Sequence, residues 1–590
     1  MITGLLKSSR LFELSSHILF SKLSSYELSL DLETREALSD LLSYYTLGIE
    51  GKLKSSFYLS SLDPGAGKTE SISSFIKAWK TLDFLPEGSI LIGVNTKDQI
   101  KSLVNRLDLS ESDYACFTSD EKFDAFGVGV EKRDEARVLI TTQQKIAARL
   151  KDRRFSSASD FFFLGKARSL RIWDEGYLQS EQLSIKVTAI QSLAHCLAGK
   201  YRSFADELSS LAATMTPENV GYAYKIGTSI RNCASAALKE VREAKAWGKG
   251  HPLSSHVGTL EAFVKSGARP LRLGSYGGYS NLTLIGASKP MPDDFAPAII
   301  LDASGRVRGT YALWEDAGSN LIRLRSKVND YRNLTAWFWQ TACGKDALRD
   351  DAVNRGILSV AANAIATKSG EEWLVIGDKA SPDFSIFELL KATVPIATAP
   401  LLHFVHWGRH LATNAYSHIK NVLVIGSHMY GKAGYDALAA AALGDLPDPR
   451  IGGDTKSFMT SEYQHNLLQG LMRSNARNAK DGVCGECTAY IVASPPITKD
   501  VVARTFPGCT VRTWREPPSK LTASERRLVE YVVFYLSTGS NDKLAKKDAL
   551  AAVSIHKNSL AGMLAKTAVK SALKEGGVKV SSRYFERDRV

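Results

Sequence analysis

The chain has 590 residues, 44% hydrophobic and 23% charged, with only 18 prolines; this excludes a largely disordered or low-complexity protein and leaves room for three or four folded domains. A formal net charge of +13 favours an anionic partner such as nucleic acid. Seven cysteines, sparse and odd in number, argue against a disulfide framework and suit reduced thiols in a cytoplasmic compartment.

No unbroken apolar signal core opens the sequence, so secretion is not expected. No run of about 18 uncharged apolar residues predicts a membrane span. Residues 1–55 read as an N-terminal helical cap, with apolar positions three and four apart at Leu28 and Leu32, then Leu38, Leu41, Leu42 and Tyr45. From Phe57 the pattern changes to short β-rich runs: Ser56-Phe-Tyr-Leu-Ser60, Ile90-Leu-Ile-Gly-Val94, Val138-Leu-Ile-Thr141 and Leu170-Arg-Ile-Trp173. Helical stretches separate them, an alternation that predicts a parallel sheet with crossover helices. Between Tyr177 and about Arg272 the strands are expected to vanish into a helical insertion, spanning 181–272. Strands resume at Leu282-Thr-Leu-Ile-Gly and Ala298-Ile-Ile-Leu-Asp302, and a second alternating series runs from Glu372-Trp-Leu-Val-Ile-Gly377 to Thr488-Ala-Tyr-Ile-Val-Ala493. Pro517-Pro518 then breaks the chain before a basic tail.

The sharpest chemical signal is Ser61-Leu-Asp-Pro-Gly-Ala-Gly-Lys-Thr69, after a strand and at the opening of a helix. Glycines let backbone amides turn inward on phosphate, a lysine supplies charge to the terminal phosphates, and a hydroxyl completes the shell of magnesium. The full Gly-x-x-x-x-Gly-Lys-Thr pattern expects glycine where Leu62 stands, but Pro64, Gly65, Ala66, Gly67, Lys68 and Thr69 keep the part that encloses the β-phosphate, with Glu70 next in the helix. ATP and Mg²⁺ are therefore the expected ligands. The partner of this loop is an acidic pair ending a buried strand. Asp174 is assigned to magnesium and Glu175 to orienting and deprotonating the attacking water.

With these residues in place the chain resembles the superfamily 1 and 2 helicases over roughly residues 56–495. The phosphate loop looks like their motif I and Trp173-Asp-Glu-Gly176 like motif II. Ile90 to Thr96 is similar to motif Ia, and Val138-Leu-Ile-Thr-Thr-Gln-Gln144 to the strand-and-turn that touches the nucleic-acid backbone. Ala298 to Ser304 resembles motif III, Trp373 to Gly377 motif IV, and Gly408-Arg-His-Leu-Ala-Thr413-Asn414 with the following strand motif V. Gln469-Gly-Leu-Met-Arg473-Ser-Asn-Ala-Arg477 looks like motif VI, whose arginines reach the γ-phosphate; Gln469 and Arg473 keep the family spacing, and Arg477 falls one residue late.

The resemblance implies an α/β fold of two RecA-like parallel-sheet lobes, with a helical insertion in the first, an N-terminal helical cap and a C-terminal winged-helix-like domain. Lobe 1 is expected at 56–180 and 273–345, lobe 2 at 346–515. It implies an ATP-hydrolysing nucleic-acid motor, DNA favoured over RNA, with no membrane partner. A ring-forming protein-remodelling ATPase and a non-unwinding, ATP-switched binding protein remain as alternatives.

Cys484-Gly-Glu-Cys487 has zinc-knuckle spacing without a second pair nearby, and reads as two reduced cysteines in a loop. The tail, 519–590, reads as helix, turn, helix and hairpin, resembling a winged helix, with eleven Lys or Arg against five Asp or Glu from 541 to 590. Its second helix, expected from Asn558 to Leu573, would place Lys566 and Lys570 on phosphates; a protein-binding role for the tail stays open.

Overall fold

The computed structural model describes residues 2–26, 29–83, 88–150, 153–224, 226, 230, 234, 237–238, 254–265, 271–275, 281–288, 290–318, 320–368, 370–408, 415–445, 455–515, 521, 523–538 and 542–588. Leu28, Cys233, most of the helical stretch after Ala234, positions 409–414 and Pro517-Pro518 lie outside them.

Two helices open the chain, α1 (Ile2–Ser25) and α2 (Leu32–Ile49). Asp31 caps α2 by accepting a 2.7 Å hydrogen bond from the Thr34 amide, which satisfies one of the donors that a helix start leaves open. Then come β1 (Phe57–Ser60), α3 (Lys68–Thr81), β2 (Ile90–Val94), α4 (Lys97–Leu107), β3 (Tyr114–Phe117), α5 (Glu121–Asp124), β4 (Val138–Thr142) and α6 (Gln143–Leu150). A small hairpin, β5 (Phe162–Phe163) and β6 (Lys166–Ala167), precedes β7 (Leu170–Asp174). Strands β1, β2 and β4 are buried along their whole length. Continuous apolar runs of this kind suit a sheet covered on both faces.

The segment after β7 departs from expectation. Its helices α7 (Val187–Leu197) and α8 (Arg202–Ala213) are present, and a further helix spans Ser254–Lys265. The strands, however, do not vanish: β8 (Gln182–Lys186), β9 (Ala223–Tyr224), β10 (Leu271–Gly274) and β11 (Thr283–Ala287) form an antiparallel sheet in the order β8-β11-β10-β9. Leu282-Thr-Leu-Ile-Gly thus belongs to this smaller sheet and not to the large one. The insertion has its own core, including Leu193, Phe204, Leu208, Phe263, Leu273 and Leu284. Residues 182–186 alternate exposed and buried, the period of a half-buried strand, but five residues beside long helices make a weak signal.

With β12 (Ala298–Leu301) and β13 (Leu321–Arg323) the first large sheet is complete, in the order β13-β1-β12-β7-β2-β4-β3. All its described pairings are parallel. The strand that leads into the phosphate loop and the strand ending in Asp174 are therefore separated by one other strand, the RecA-like order.

The second large sheet contains β14 (Leu334–Gln340), β15 (Trp373–Gly377), β16 (Leu402–His406), β17 (Asn421–Ile425), β18 (Cys487–Ala493) and β19 (Thr510–Arg515), in the order β16-β15-β17-β18-β14-β19. Its first strand comes from residues assigned on sequence to lobe 1. Strand β15 is buried throughout and pairs in parallel with β16 and β17. The helix Thr455–Leu471 contributes Tyr463, Leu467, Leu468 and Leu471 to the core of this lobe. The fold is thus α/β, with two RecA-like parallel-sheet lobes.

Residues 1–338 and 342–512 form one compact unit, and 339–341 with 513–590 another. In the second unit a helix (Ala523–Thr538) precedes β20 (Lys543–Ala545), helices Lys546–Ala552, Lys557–Ala565 and Thr567–Glu575, and the hairpin β21 (Val578–Val580) and β22 (Tyr584–Arg587). The three strands pair antiparallel in the order β20-β22-β21 over a core that includes Leu528, Val532, Leu544, Val569 and Phe585. The expected long second helix breaks at Lys566 into two pieces. Lys566, itself exposed, stands 2.7 Å from the buried carboxylate of Glu525.

Candidate nucleotide site between the lobes

Gly67 stands at the N-terminus of α3 with φ 104° and offers no side-chain cap; Gly65 is also left-handed, at φ 89°. Both conformations are cheap only for glycine. A Cβ on Gly65 would collide with the carbonyl of Arg477, so the loop lies directly against backbone of the second lobe. A cleft of about 700 Å³ opens here. Of the residues chosen on sequence, Pro64, Gly65, Gly67, Lys68, Thr69, Glu70, Asp174, Glu175, Gln469, Arg473 and Arg477 all line it. Ala66 does not; it packs on the core beside α1 and α2.

The Lys68 ammonium donates to the carbonyls of Leu62 and, at 3.2 Å, of Asp63. Burial pushes its pKa down to about 8, opposed by the carboxylates of Asp63, Asp302 and Asp174. Asp174 is pushed up to about 6 by burial, with Lys68 and Arg106 pulling it back. Glu175 is raised to about 8, again by burial, with Arg473 opposing. Its backbone is left-handed at φ 73°, a conformation that costs a non-glycine residue about 1–3 kcal/mol and persists only where its surroundings impose it. Here the Glu175 amide donates to Leu301 O at 2.9 Å, and the Gln143 amide donates to Asp174 O at 2.7 Å and Glu175 O at 3.4 Å. The Glu175 Oε2 is buried with no hydrogen-bond partner among the described residues.

From the second lobe, Arg473 Nη2 lies 3.7 Å from Glu175 Oε1. Gln469, one helical turn earlier, holds that guanidinium by accepting Nη2–H at 2.9 Å on its side chain and Nε–H at 3.2 Å on its carbonyl. Arg477 is lowered to about 10 by burial and by Arg473 and Arg106. A converging cluster of cations around two costly carboxylates suits a bound polyanion. The Thr69 hydroxyl and Asp174 carboxylate are hard oxygen donors of the kind magnesium takes, and Asp174, buried and raised, is a carboxylate that a cation would stabilise.

Sequence reasoning missed the contribution of α4. Gln99, Ser102, Leu103 and Arg106 form one face of it along the cleft, at the three- and four-residue spacing that would have revealed them. Leu23 and Tyr26 from the N-terminal cap also line the cleft, and Lys22 pairs with Glu70 at 2.7 Å. The second-lobe glutamate Glu462 accepts from Arg308 Nε at 3.4 Å and from the Thr310 amide at 3.3 Å. Arg308 stands 3.9 Å from Asp302 Oδ2, and Ser304 donates to the other oxygen of Asp302 at 2.5 Å. The motif III-like segment is thus wired to the helix that carries Gln469.

The motif Ia-like and neighbouring turn residues are spent locally. Thr96 caps α4 in a reciprocal box with Gln99 (3.3 and 2.9 Å), and the buried Thr141 hydroxyl donates to Phe117 O, so Thr141 is not free for a nucleic-acid phosphate. Cys484 and Cys487 are buried thiols whose pKa values burial raises; among the described residues no group of three His, Cys, Asp or Glu could hold a metal ion, and no helix is long and apolar enough to cross a membrane.

No family model and no curated protein matches the chain. Among solved structures it is similar to Xpd4 of S. tokodaii (12% identity, TM-score 0.45, covering 81% of this chain and 99% of that one). It is also similar to S. cerevisiae Dbp5 bound to RNA and ADP BeF3 (8%, 0.34, 82% and 95%), and to the Mycobacterium smegmatis helicase Lhr bound to ssDNA and AMP-PNP (10%, 0.33, 91% and 57%).

Proposed function

We propose that the chain is an ATP-dependent nucleic-acid motor, a DNA helicase or translocase, that hydrolyses ATP between its two lobes. The observation that carries this reading is the convergence of Lys68, Thr69, Asp174 and Glu175 from one lobe and Arg473 and Arg477 from the other on a single cleft. Lys68 exchanges its loop carbonyls for the terminal phosphates, and Thr69 and Asp174 would hold magnesium, which would supply charge neutralisation for the phosphates. Glu175 accepts a proton as the water oxygen bonds to the γ-phosphorus and the bond to the bridging oxygen breaks, the leaving pair staying on ADP. Arg473, aimed by Gln469, strengthens its contact as charge moves onto the transferred group.

A site completed by both lobes is useful when hydrolysis must open and close a grip on a strand. The surplus of basic residues fits that partner. An ATPase assay with single-stranded DNA, duplex DNA and RNA tests the proposal. Turnover that rises with a nucleic acid and vanishes in Lys68→Ala supports it; turnover indifferent to every nucleic acid, in a chain that assembles into a hexameric ring with ATP, would assign it to protein remodelling.

A further inference from the structure

The third residue of the phosphate loop, Asp63, carries a carboxylate that a phosphate-binding loop does not require and that is almost fully buried, at 1% exposure. Each of its oxygens is engaged. Oδ1 accepts from Arg306 Nε at 2.9 Å, and Oδ2 accepts from the Asn329 amide at 2.8 Å and the Tyr331 hydroxyl at 2.9 Å. Arg306 follows β12 of the first sheet, and its other arm, Nη2, donates at 2.8 Å to the carbonyl of Thr505, the last residue of the helix Thr498–Thr505 that packs under the second sheet. Tyr331, fully buried, sits in the second-lobe core, edge-on to Phe506 at 5.0 Å.

A continuous path of charge-assisted hydrogen bonds therefore runs from the loop to the second lobe at two points, Thr505 and Tyr331. It starts one residue from the cleft lining, because Asp63 precedes Pro64, and its own carbonyl is one of the two that hold the Lys68 ammonium. A guanidinium can span Asp63 and Thr505 O at once because its donors form a fixed fork; an ammonium is a point charge and cannot. Buried bonds of this kind are short and geometrically demanding, so displacement of the second lobe changes the position of the loop carbonyls.

We propose that Arg306 is a positioning residue that fixes the phosphate loop to the second lobe through Asp63, making ATP affinity depend on how the lobes are set. This rests on the proposed motor, in which nucleic acid sets the lobes. By linkage, a strand that alters ATP affinity must have its own affinity altered equally by ATP.

The test measures the dissociation constant of a fluorescent ATP analogue, with and without a single-stranded oligonucleotide, in the full chain. The ratio of the two constants is the coupling. Arg306→Lys retains a cation for Asp63 and loses the bridge to Thr505, so ATP affinity without nucleic acid should stay within about threefold of the unaltered chain while the coupling falls by about twofold or more, the Tyr331 link remaining. Arg306→Ala should reduce the coupling as much and also weaken ATP binding by about tenfold or more, as expected when a buried carboxylate loses a charged donor. The rate at saturating ATP should fall much less than affinity. Should Arg306→Ala fail to fold, Tyr331→Phe removes one hydroxyl donor only, and weaker ATP binding is expected from it. Undiminished coupling in Arg306→Lys, or unchanged ATP affinity in Tyr331→Phe, overturns the inference. Absence of coupling in the unaltered chain counts instead against the motor.

Discussion

Glu175 holds a backbone conformation that its residue type disfavours, in a place where its carboxylate costs most. In the proposed motor such a position serves chemistry and not stability. Glu175→Gln should therefore bind ATP normally and hydrolyse it about a hundredfold more slowly or worse; equilibrium binding and single-turnover assays on one preparation check both halves. Lys68→Ala should lose binding itself. The two arginines separate by what holds them. Gln469 aims Arg473 at Glu175, whereas the carbonyl of Arg477 meets the phosphate loop. Arg473→Ala should cost about 10²–10³ in turnover with ATP affinity nearly intact; an equal loss in Arg477→Ala would mean that both guanidiniums act on the γ-phosphate. At this scale the sequence was legible wherever chemistry demands residue types at short spacing, as in residues 64–69 and 174–175. Arg306 and Glu462 were not, because nothing in a sequence marks which charged side chain will be folded against another lobe.

At the scale of elements, the helical cap was legible from its spacing but its purpose was not. Helix α1 packs on α3, and Leu23, 1% exposed, lies against Gly67 and lines the cleft. Leu23→Ala should destabilise the first lobe by about 2–5 kcal/mol, the usual cost of emptying a buried leucine site, and weaken nucleotide binding as well, because the wall it removes belongs to the site. Thermal unfolding with and without ATP separates the two effects. Strands were legible when buried on both faces and missed when short and amphipathic, as with β8. In the tail, the resemblance to a winged helix and the basic composition placed Lys566 on phosphate, but neither reveals that Glu525, forty-one residues earlier in sequence, is buried beside it. Lys566→Ala should lower the melting temperature of the C-terminal unit more than it alters the salt dependence of duplex binding; Lys570→Ala should do the reverse.

For the whole molecule, the order of motifs along the chain carried the expectation of two lobes, because the phosphate loop follows β1 and the acidic pair ends β7, and strands of a parallel sheet end on one side. Removing magnesium with a chelator should abolish hydrolysis while leaving the fold's melting temperature without nucleotide unchanged, since among the described residues no group of three His, Cys, Asp or Glu could hold a metal ion. Deleting residues 519–590, which belong to the separate unit, should leave basal ATPase in place.

The sheet order also bears on synthesis. Strand β1, which leads into the phosphate loop, has only two neighbours, and both are made late: Phe57 pairs with Ala298 on one side and Leu321 on the other. Everything between, including an insertion with its own core, leaves the ribosome first. Local units fold as they emerge, while pairings this distant in sequence must wait. A nascent chain stalled with the whole insertion clear of the exit tunnel and residue 298 still inside it should therefore protect the insertion from protease and leave the phosphate loop open to cleavage. One stalled some forty residues beyond Arg323, clear of the exit tunnel, should protect both. The part of the protein translated almost first is among the last to become structured, and until then the growing polypeptide carries an ATP motif that cannot yet hold ATP.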